Sequence, residues 1–284
     1  MHCSLQLRMI LYTAFFAAPY VMAQQPVATP PATSVSAASP DLAGIAHIAL
    51  RVQNLDASVA FYERLGFVEA FTLSRNNQVY EAFIKINDRQ FIELYPATPE
   101  HAQIGFLHLC YEGKDLAAAH EFYVQHGLIP TSVKTAGAGN LLFTMPGPAS
   151  PTGPENMEYT QYQPGSLHMK DAGLHLGENR IANRMLSVAL AVDDPVAARE
   201  FYIAKAGFVA RQDGALALPG GSGEAIELVP AQTLGFRGRI ALGVDEPAKA
   251  EATLKAKAVP FSKKNAVIAV VDPDGNEIML RTEH

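Results

Sequence analysis

Four stretches of this chain repeat one order of elements, and that repetition limits the fold more than any other feature. Each opens with an alternating strand, passes a turn and enters a helix. They are HIALRVQNLDASVAFYERLGF from His47, HLCYEGKDLAAAHEFYVQHGL from His108, SVALAVDDPVAAREFYIAKAGF from Ser187 and RIALGVDEPAKAEATLKAKAV from Arg239. In the first three, Phe-Tyr follows the opening residue at one fixed interval (47 to 61, 108 to 122, 187 to 201). Helix starts are expected after Asp or Glu, with Pro195 and Pro247 in the first turn. Gly66, Gly127 and Gly207 stand where a left-handed cap would end a helix. Alternating runs follow: EAFIKIN and QFIELYP, NLLFTM and NMEYTQY, ALALPG and AIELVP, AVIAVVD and EIMLR. Each unit therefore reads as βαβββ.

One such unit leaves the inner face of its sheet uncovered, whereas two side by side close into a cup. Short joins link units one and two (His101 to Gly105) and units three and four (Gln232 to Gly238). The polar stretch DAGLHLGENRIAN, residues 171–183, separates the pairs. The expected fold class is α+β, with four tandem βαβββ modules paired into two domains with cupped mixed sheets. The first domain is expected over 43–170 and the second over 184–284.

Residues 1–23 are expected to lie outside the fold. MHCSLQLR is followed by the apolar run MILYTAFFAAPYVMA, which ends in Val21-Met22-Ala23, the layout of a cleaved secretory signal. An uncleaved anchor is the other reading, but the run is short and Pro19 interrupts it. Residues 24–42, rich in Pro, Ala, Ser and Thr, read as a flexible linker. The expected location is periplasmic or secreted, with no membrane attachment after cleavage, and Cys110 is then the only thiol.

Composition excludes other classes. With 49% hydrophobic residues the chain has material for a sizeable core, and at 18% charge it is not a disordered segment. The net charge of −6 and the scattered Lys and Arg argue against a nucleic-acid partner. Two Cys rule out a disulfide scaffold and a Cys-rich zinc module.

The repeat also marks the chemistry. The first residue of each opening strand and the acidic residue of each closing strand are His47 and Glu93, His108 and Glu158, Ser187 and Glu227, and Arg239 and, by register, Met279. A pseudo-twofold axis between units one and two would bring His47, Glu93, His108 and Glu158 to one point. Two neutral imidazoles and two carboxylates offset one divalent cation and leave room for exchangeable oxygen ligands, a set that suits Ni²⁺, Co²⁺, Zn²⁺, Mn²⁺ or Fe²⁺. The second pair lacks both His and is expected to hold no metal. Taken singly, each residue has a plainer role as a core or surface group, and Glu227 is expected to face solvent.

The βαβββ units, with His47 in GIAHIALRV, Glu93 in FIELYP, His108 in FLHLCYE and Glu158 in PENMEYTQY, resemble the vicinal oxygen chelate superfamily. VVDPDGNEIMLR in unit four resembles its closing-strand motif, with Met279 where a ligand Glu would stand. The resemblance spans residues 43–284. It implies the fold, one divalent metal and a small-molecule substrate, and it leaves the reaction open. The four-residue set is similar to that of glyoxalase I-type lyases and isomerases, which implies a substrate chelated through adjacent oxygens and an enediolate-type intermediate. Glu158 or Glu93 would then be the catalytic base. An Fe(II) extradiol dioxygenase is the alternative, using His47, His108 and Glu158, with Glu93 taking a position that chemistry needs open. A non-enzymatic small-molecule-binding protein of the resistance type is the third reading. Export would separate the chain from the thiol cosubstrate usual for glyoxalase I. The oligomeric state is not set by the sequence.

Other residues are weaker candidates. The Pro/Gly-rich stretch 145–157 is either a lid over the cup or a hairpin connection with an insertion. Tyr162 shares a face with Glu158, and Tyr80 and Phe91 are candidate lining. His101, His120, His126, His168 and His175 are expected at the solvated surface, and the Phe-Tyr pairs in the core.

Overall fold

The computed structural model describes residues 39–283; the expected leader and the tether up to residue 38 lie outside them. The first module is β1 (Leu42–Val52), α1 (Leu55–Arg64), β2 (Val68–Arg75), β3 (Gln78–Lys85) and β4 (Phe91–Pro96). The second is β5 (Gly105–Gly113), α2 (Leu116–Gln125), β6 (Lys134–Thr135), β7 (Leu141–Ser150) and β8 (Gly153–Gln161). A short helix, α3 (Leu167–Lys170), precedes the third: β9 (Arg184–Val192), α4 (Pro195–Ala204), β10 (Val209–Ala210), β11 (Leu216–Ala217) and β12 (Ala225–Pro230). After α5 (Ala231–Leu234) come β13 (Arg239–Gly243), α6 (Pro247–Ala256), β14 (Phe261–Lys264), β15 (Val267–Val271) and β16 (Glu277–Arg281).

The strands make two eight-stranded sheets of matching order, β2-β3-β4-β1-β5-β8-β7-β6 and β10-β11-β12-β9-β13-β16-β15-β14. Each order reads the same outward from its central antiparallel pair, β1 with β5 or β9 with β13. Each central strand is parallel to the closing strand of its own module. This is an α+β fold of paired βαβββ modules with mixed sheets.

Alternation decides which side chain faces where. Ile48, Leu50 and Val52 on β1, Leu109 and Tyr111 on β5, Val188 and Leu190 on β9, and Ile240 and Leu242 on β13 join one apolar core that draws on both sheets. Full burial of such side chains stabilises by about 1.5–3 kcal/mol each. The intervening residues on the central strands, His47, His108, Ser187 and Arg239 among them, therefore take the opposite face. Tyr62, Tyr123 and Tyr202 of the Phe-Tyr pairs are fully buried against this core.

The helix punctuation follows side-chain chemistry. Asp115 and Asp194 cap α2 and α4, but α1 starts after Asn54, whose side chain accepts from the Ala57 N–H, and Glu246 makes no side-chain cap on α6. Gly66, Gly127 and Gly207 follow their helices with φ of 87°, 73° and 78°. At the corresponding place after α6 the chain uses Ala258 at φ 50°, a conformation that disfavours any residue with a Cβ.

Residues 145–157 fall within the long β7–β8 hairpin, paired from Leu141↔Gln161 to Ser150↔Gly153, so the hairpin alternative holds and the lid does not. Its far end meets the third module, where the Asp193 N–H donates to Ala149 O and the Tyr202 hydroxyl donates to Glu155 at 2.6 Å. On the other side the Tyr62 hydroxyl donates to Asp272 at 3.3 Å. Residues 171–183 are polar but pinned: buried Lys85 donates to Asp171 Oδ2 (2.7 Å), Asp171 O (2.6 Å) and Leu174 O (2.7 Å). Among the described residues no helix is long and apolar enough to cross a membrane.

Candidate metal centre

All four expected ligands come together in the first cup. Ladder register explains why. Glu93 on β4 sits beside Ala49 of β1, one alternation from His47, and His108 on β5 sits opposite the same Ala49. Glu158 on β8 sits beside Cys110, one alternation from His108. Ala49 keeps the floor between them small.

His47 Nε2 is 3.1 Å from His108 Nε2 and 3.5 Å from Glu158 Oε1, and His108 Nε2 is 3.9 Å from Glu158 Oε2. His47 Nδ1 is 2.9 Å from Glu93 Oε1. That contact is close but not aligned as a hydrogen bond, so the buried Nδ1 has no hydrogen-bond partner. Two sets of donor atoms lie within 4.8 Å of one another: His47, Glu93 and His108, and His47, Cys110 and Glu158.

The electrostatics follow from burial and contact. Burial alone would lower the His47 pKa, but Cys110, Glu93 and Glu158 together raise it well above the ordinary imidazole value. Burial, with the neighbouring His47, lowers that of His108. Burial would raise both carboxylates, yet His47 holds Glu93 low, and the two imidazoles hold Glu158 down to about 2. Two buried carboxylates ionised together are costly unless positive charge sits among them, and a protonated His47 offsets only one of the two. The donor chemistry therefore fits a divalent cation held by His47, His108 and Glu158, with Glu93 in reach.

Several functional neighbours carry weaker signals in the sequence. Cys110 and Tyr95 lie two residues beyond His108 and Glu93, so alternation alone turns them to the cup. The Tyr95 hydroxyl lies 2.7 Å from Glu81 Oε1 and 3.1 Å from Glu93 Oε2. Burial and the nearby Glu93 charge push Glu81 up to about 9, so it is a neutral acid at pH 7. Asn140 donates to the Thr160 hydroxyl and leaves its Oδ1 without a partner. Only the tertiary structure brings Glu81 and Asn140 here.

A cavity of about 260 Å³ opens onto His47, Glu93 and Glu158, roofed by residues 134–138 and walled by Leu73, Phe83 and Leu142. Tyr80 supports the roof from outside the cavity, its hydroxyl only 3.1 Å from where a Cβ on Gly137 would stand. His168 lines the cavity, which corrects the expectation of a surface histidine. It is buried among Phe71, Phe83 and Phe91 and stacked on Tyr162, and burial pushes it down to about 4. Helix α3 carries it there, a placement that no local pattern announces. Phe91 thus supports the wall, His101 and His175 are exposed, and His120 and His126 are half-buried.

The second cup keeps the register and changes the residues. Glu227 sits beside Ala189 as Glu93 does beside Ala49, and Met279 sits beside Ala241 as Glu158 does beside Cys110. Ser187 donates to Glu227 at 2.7 Å and accepts from Arg281 at 2.9 Å, and Arg239 pairs with Glu277 at 2.5 Å. Glu227 is thus half-buried and paired, which corrects the expectation of a purely solvent-facing residue.

Comparison with known proteins agrees with this architecture. Residues 44–156 match the family model described as the Glyoxalase/Bleomycin resistance protein/Dioxygenase superfamily, a match that takes in His47, Glu93 and His108 and stops just before Glu158. Among curated protein sequences none matches the chain. Among solved structures, the Mn(II)-bound glyoxalase from Novosphingobium aromaticivorans is similar at 16% identity and a TM-score of 0.63, covering 86% of this chain and 84% of that one. An extradiol ring-cleaving dioxygenase from B. fuscum is similar at 15% identity and a TM-score of 0.59, covering 87% and 73%. The 2,3-dioxygenase LapB from Pseudomonas sp. KL28 is similar at 14% identity and a TM-score of 0.60, covering 87% and 94%. At these identities the likeness establishes the fold. The superfamily match thus covers residues 44–156, and the second sheet repeats the strand order of the first.

Proposed function

We propose that this chain is a divalent-metal enzyme acting on a small molecule that presents two adjacent oxygens, with the chemistry of a glyoxalase-like isomerising lyase. One observation carries the reading: two imidazoles and two carboxylates meet, and three of the four, His47, Glu93 and Glu158, line a single cavity. His47, His108 and Glu158 would hold the cation, with Glu93 as fourth donor. Bound there, the cation would polarise a substrate carbonyl and lower the barrier to removing the neighbouring proton. Glu158 is ionised and partly open to the cavity, so it can accept that proton and return it to the adjacent carbon. Tyr95 and neutral Glu81 keep Glu93 in place. Leu73 and Phe83 exclude water from the substrate's apolar part.

A second reading rests on the contact of Glu93 with His47 Nδ1. If Glu93 orients His47 from the outer side, His47, His108 and Glu158 remain as a two-histidine, one-carboxylate face with open positions, the arrangement that suits an Fe(II) dioxygenase. We also propose that residues 1–23 direct export, which places the reaction in the periplasm or outside the cell. The deciding experiment pairs two assays. Ni²⁺-, Zn²⁺- or Mn²⁺-loaded protein is given hemithioacetals, and Fe²⁺-loaded protein is given catechols while oxygen uptake is followed. Isomerisation without oxygen uptake supports the first reading, and oxygen uptake overturns it in favour of the second. Neither activity, with tight small-molecule binding, would leave a sequestering protein.

A further inference from the structure

The first cup contains a sulfur donor that the four-residue reading does not use. Cys110 is fully buried and pairs across the ladder with His47 on one side and Glu158 on the other. Its Sγ, a ring nitrogen of His47 and a carboxylate oxygen of Glu158 lie within 4.8 Å of one another. Zinc–sulfur and zinc–nitrogen bonds of about 2.3 and 2.0–2.1 Å put two donors of a tetrahedral ion roughly 3.6 Å apart, inside the 4.8 Å limit within which these atoms lie. Beyond His47 and Glu158, the thiol has a long contact with a carbonyl, Tyr111 O at 3.9 Å.

Packing does not require the sulfur. In the second sheet Ala241 holds the corresponding place, opposite Ser187 and beside Met279, so the fold accepts a methyl group there. Charge also permits it. With Glu93 on the outer side of His47, one thiolate and the Glu158 carboxylate offset the two charges of a cation, while both imidazoles stay neutral.

We propose that Cys110 is a metal ligand, and that the centre prefers thiophilic divalent ions such as Zn²⁺ and Co²⁺, held by His47, Cys110 and Glu158, over the oxygen-seeking Mn²⁺. This rests on the metal reading above and names the class of ion. On binding, the S–H bond breaks, a sulfur–metal bond forms and the proton leaves to solvent.

The test titrates purified apo-protein, wild type and Cys110→Ser, with Co²⁺, Zn²⁺ and Mn²⁺ under argon. The wild-type Co²⁺ form is expected to show an intense near-ultraviolet thiolate-to-cobalt band that Cys110→Ser abolishes. Co²⁺ and Zn²⁺ affinity should fall at least the roughly 10–100-fold that loss of an outer-shell partner costs. Mn²⁺ affinity should stay within about threefold, the carboxylate and imidazole donors being intact. Retained Mn²⁺ affinity also shows that the variant is folded. Co²⁺ bound without the band overturns the inference and leaves the metal reading standing. So does an equal loss of all three ions in Cys110→Ser and in Cys110→Ala, which would make the role structural. A wild type that takes up none of the three ions removes the metal reading, and this inference with it.

Discussion

The two cups share a backbone plan and differ in what fills it. Strand order matches, and ladder register agrees at the cup-facing positions of the central strands, down to the alanines beside Glu93 and Glu227. In the first cup, His47 and His108 face two carboxylates, and only His47 is drawn to carry a proton against them. In the second, Ser187 and Arg239 stand at those places and Met279 replaces a carboxylate. There Arg281 and Arg239 put guanidinium charges directly against Glu227 and Glu277. The second cup thus neutralises itself with two guanidinium groups, while in the first a single imidazole answers two carboxylates. The fold is indifferent to the choice, and a handful of cup-facing positions decides it.

The comparison breaks first at the histidines. His47→Ala with His108→Ala should empty the first cup of metal and lower activity by a factor on the order of 10³ or more. Ser187→Ala with Arg239→Ala should leave metal content, read by elemental analysis, unchanged. Equal metal in all forms would put the ion elsewhere. Next come the acids. Glu158→Gln should lower kcat by about 10²–10⁴. Glu93→Gln should weaken metal binding by roughly 10–100-fold if it orients His47 from outside, and steady-state kinetics beside metal titration separates the two roles.

The contacts between the halves are also unequal. Among the described residues, Asp272 accepts from Asn276, Asp274 and Tyr62, whereas Glu155 has only Tyr202, and its Oε1 has no partner. Burial accordingly pushes Glu155 from 4.5 up to about 7. The folded state holds this proton more tightly than the unfolded chain, so the contribution is full below pH 4.5 and is lost as pH rises to about 7. The loss is about 3 kcal/mol. Chemical denaturation from pH 5 to 8 should show the decline in wild type and a flatter profile in Glu155→Gln. The smallest effect is expected in the second cup, where Arg281→Ala removes a half-exposed pair and should cost no more than about 1 kcal/mol in the same measurement. A much larger cost would mean that the internal guanidinium holds that cup together.

Much of this was legible beforehand because the signals are local. Alternation placed His47 and Ile48 on opposite faces, and the glycines after three helices marked their ends. His168 was missed because its burial depends on α3 folding back over the first sheet, with Lys85 fastening the chain just beyond it at Asp171. The stretch 145–157 is ambiguous in sequence for a related reason: Pro and Gly suit a lid and a bulged strand end equally, and the partner that fixes it, the third module, is distant in sequence. Cys110 was in plain view two residues from His108, but a small buried residue in a strand gives no sign of use until its neighbours across the ladder are known.

The sequence by itself determined the four modules, the face to which each strand residue points and the donor types that the first pair has and the second lacks. Those follow from backbone geometry, which acts over a few residues. The tertiary structure alone decided that residues 47, 93, 108 and 158 meet, that Glu81, Asn140 and His168 join them, and that Arg281 reaches Ser187. Distances of that kind are set by strand pairing and by the packing of one shared core, which join residues that no local pattern connects.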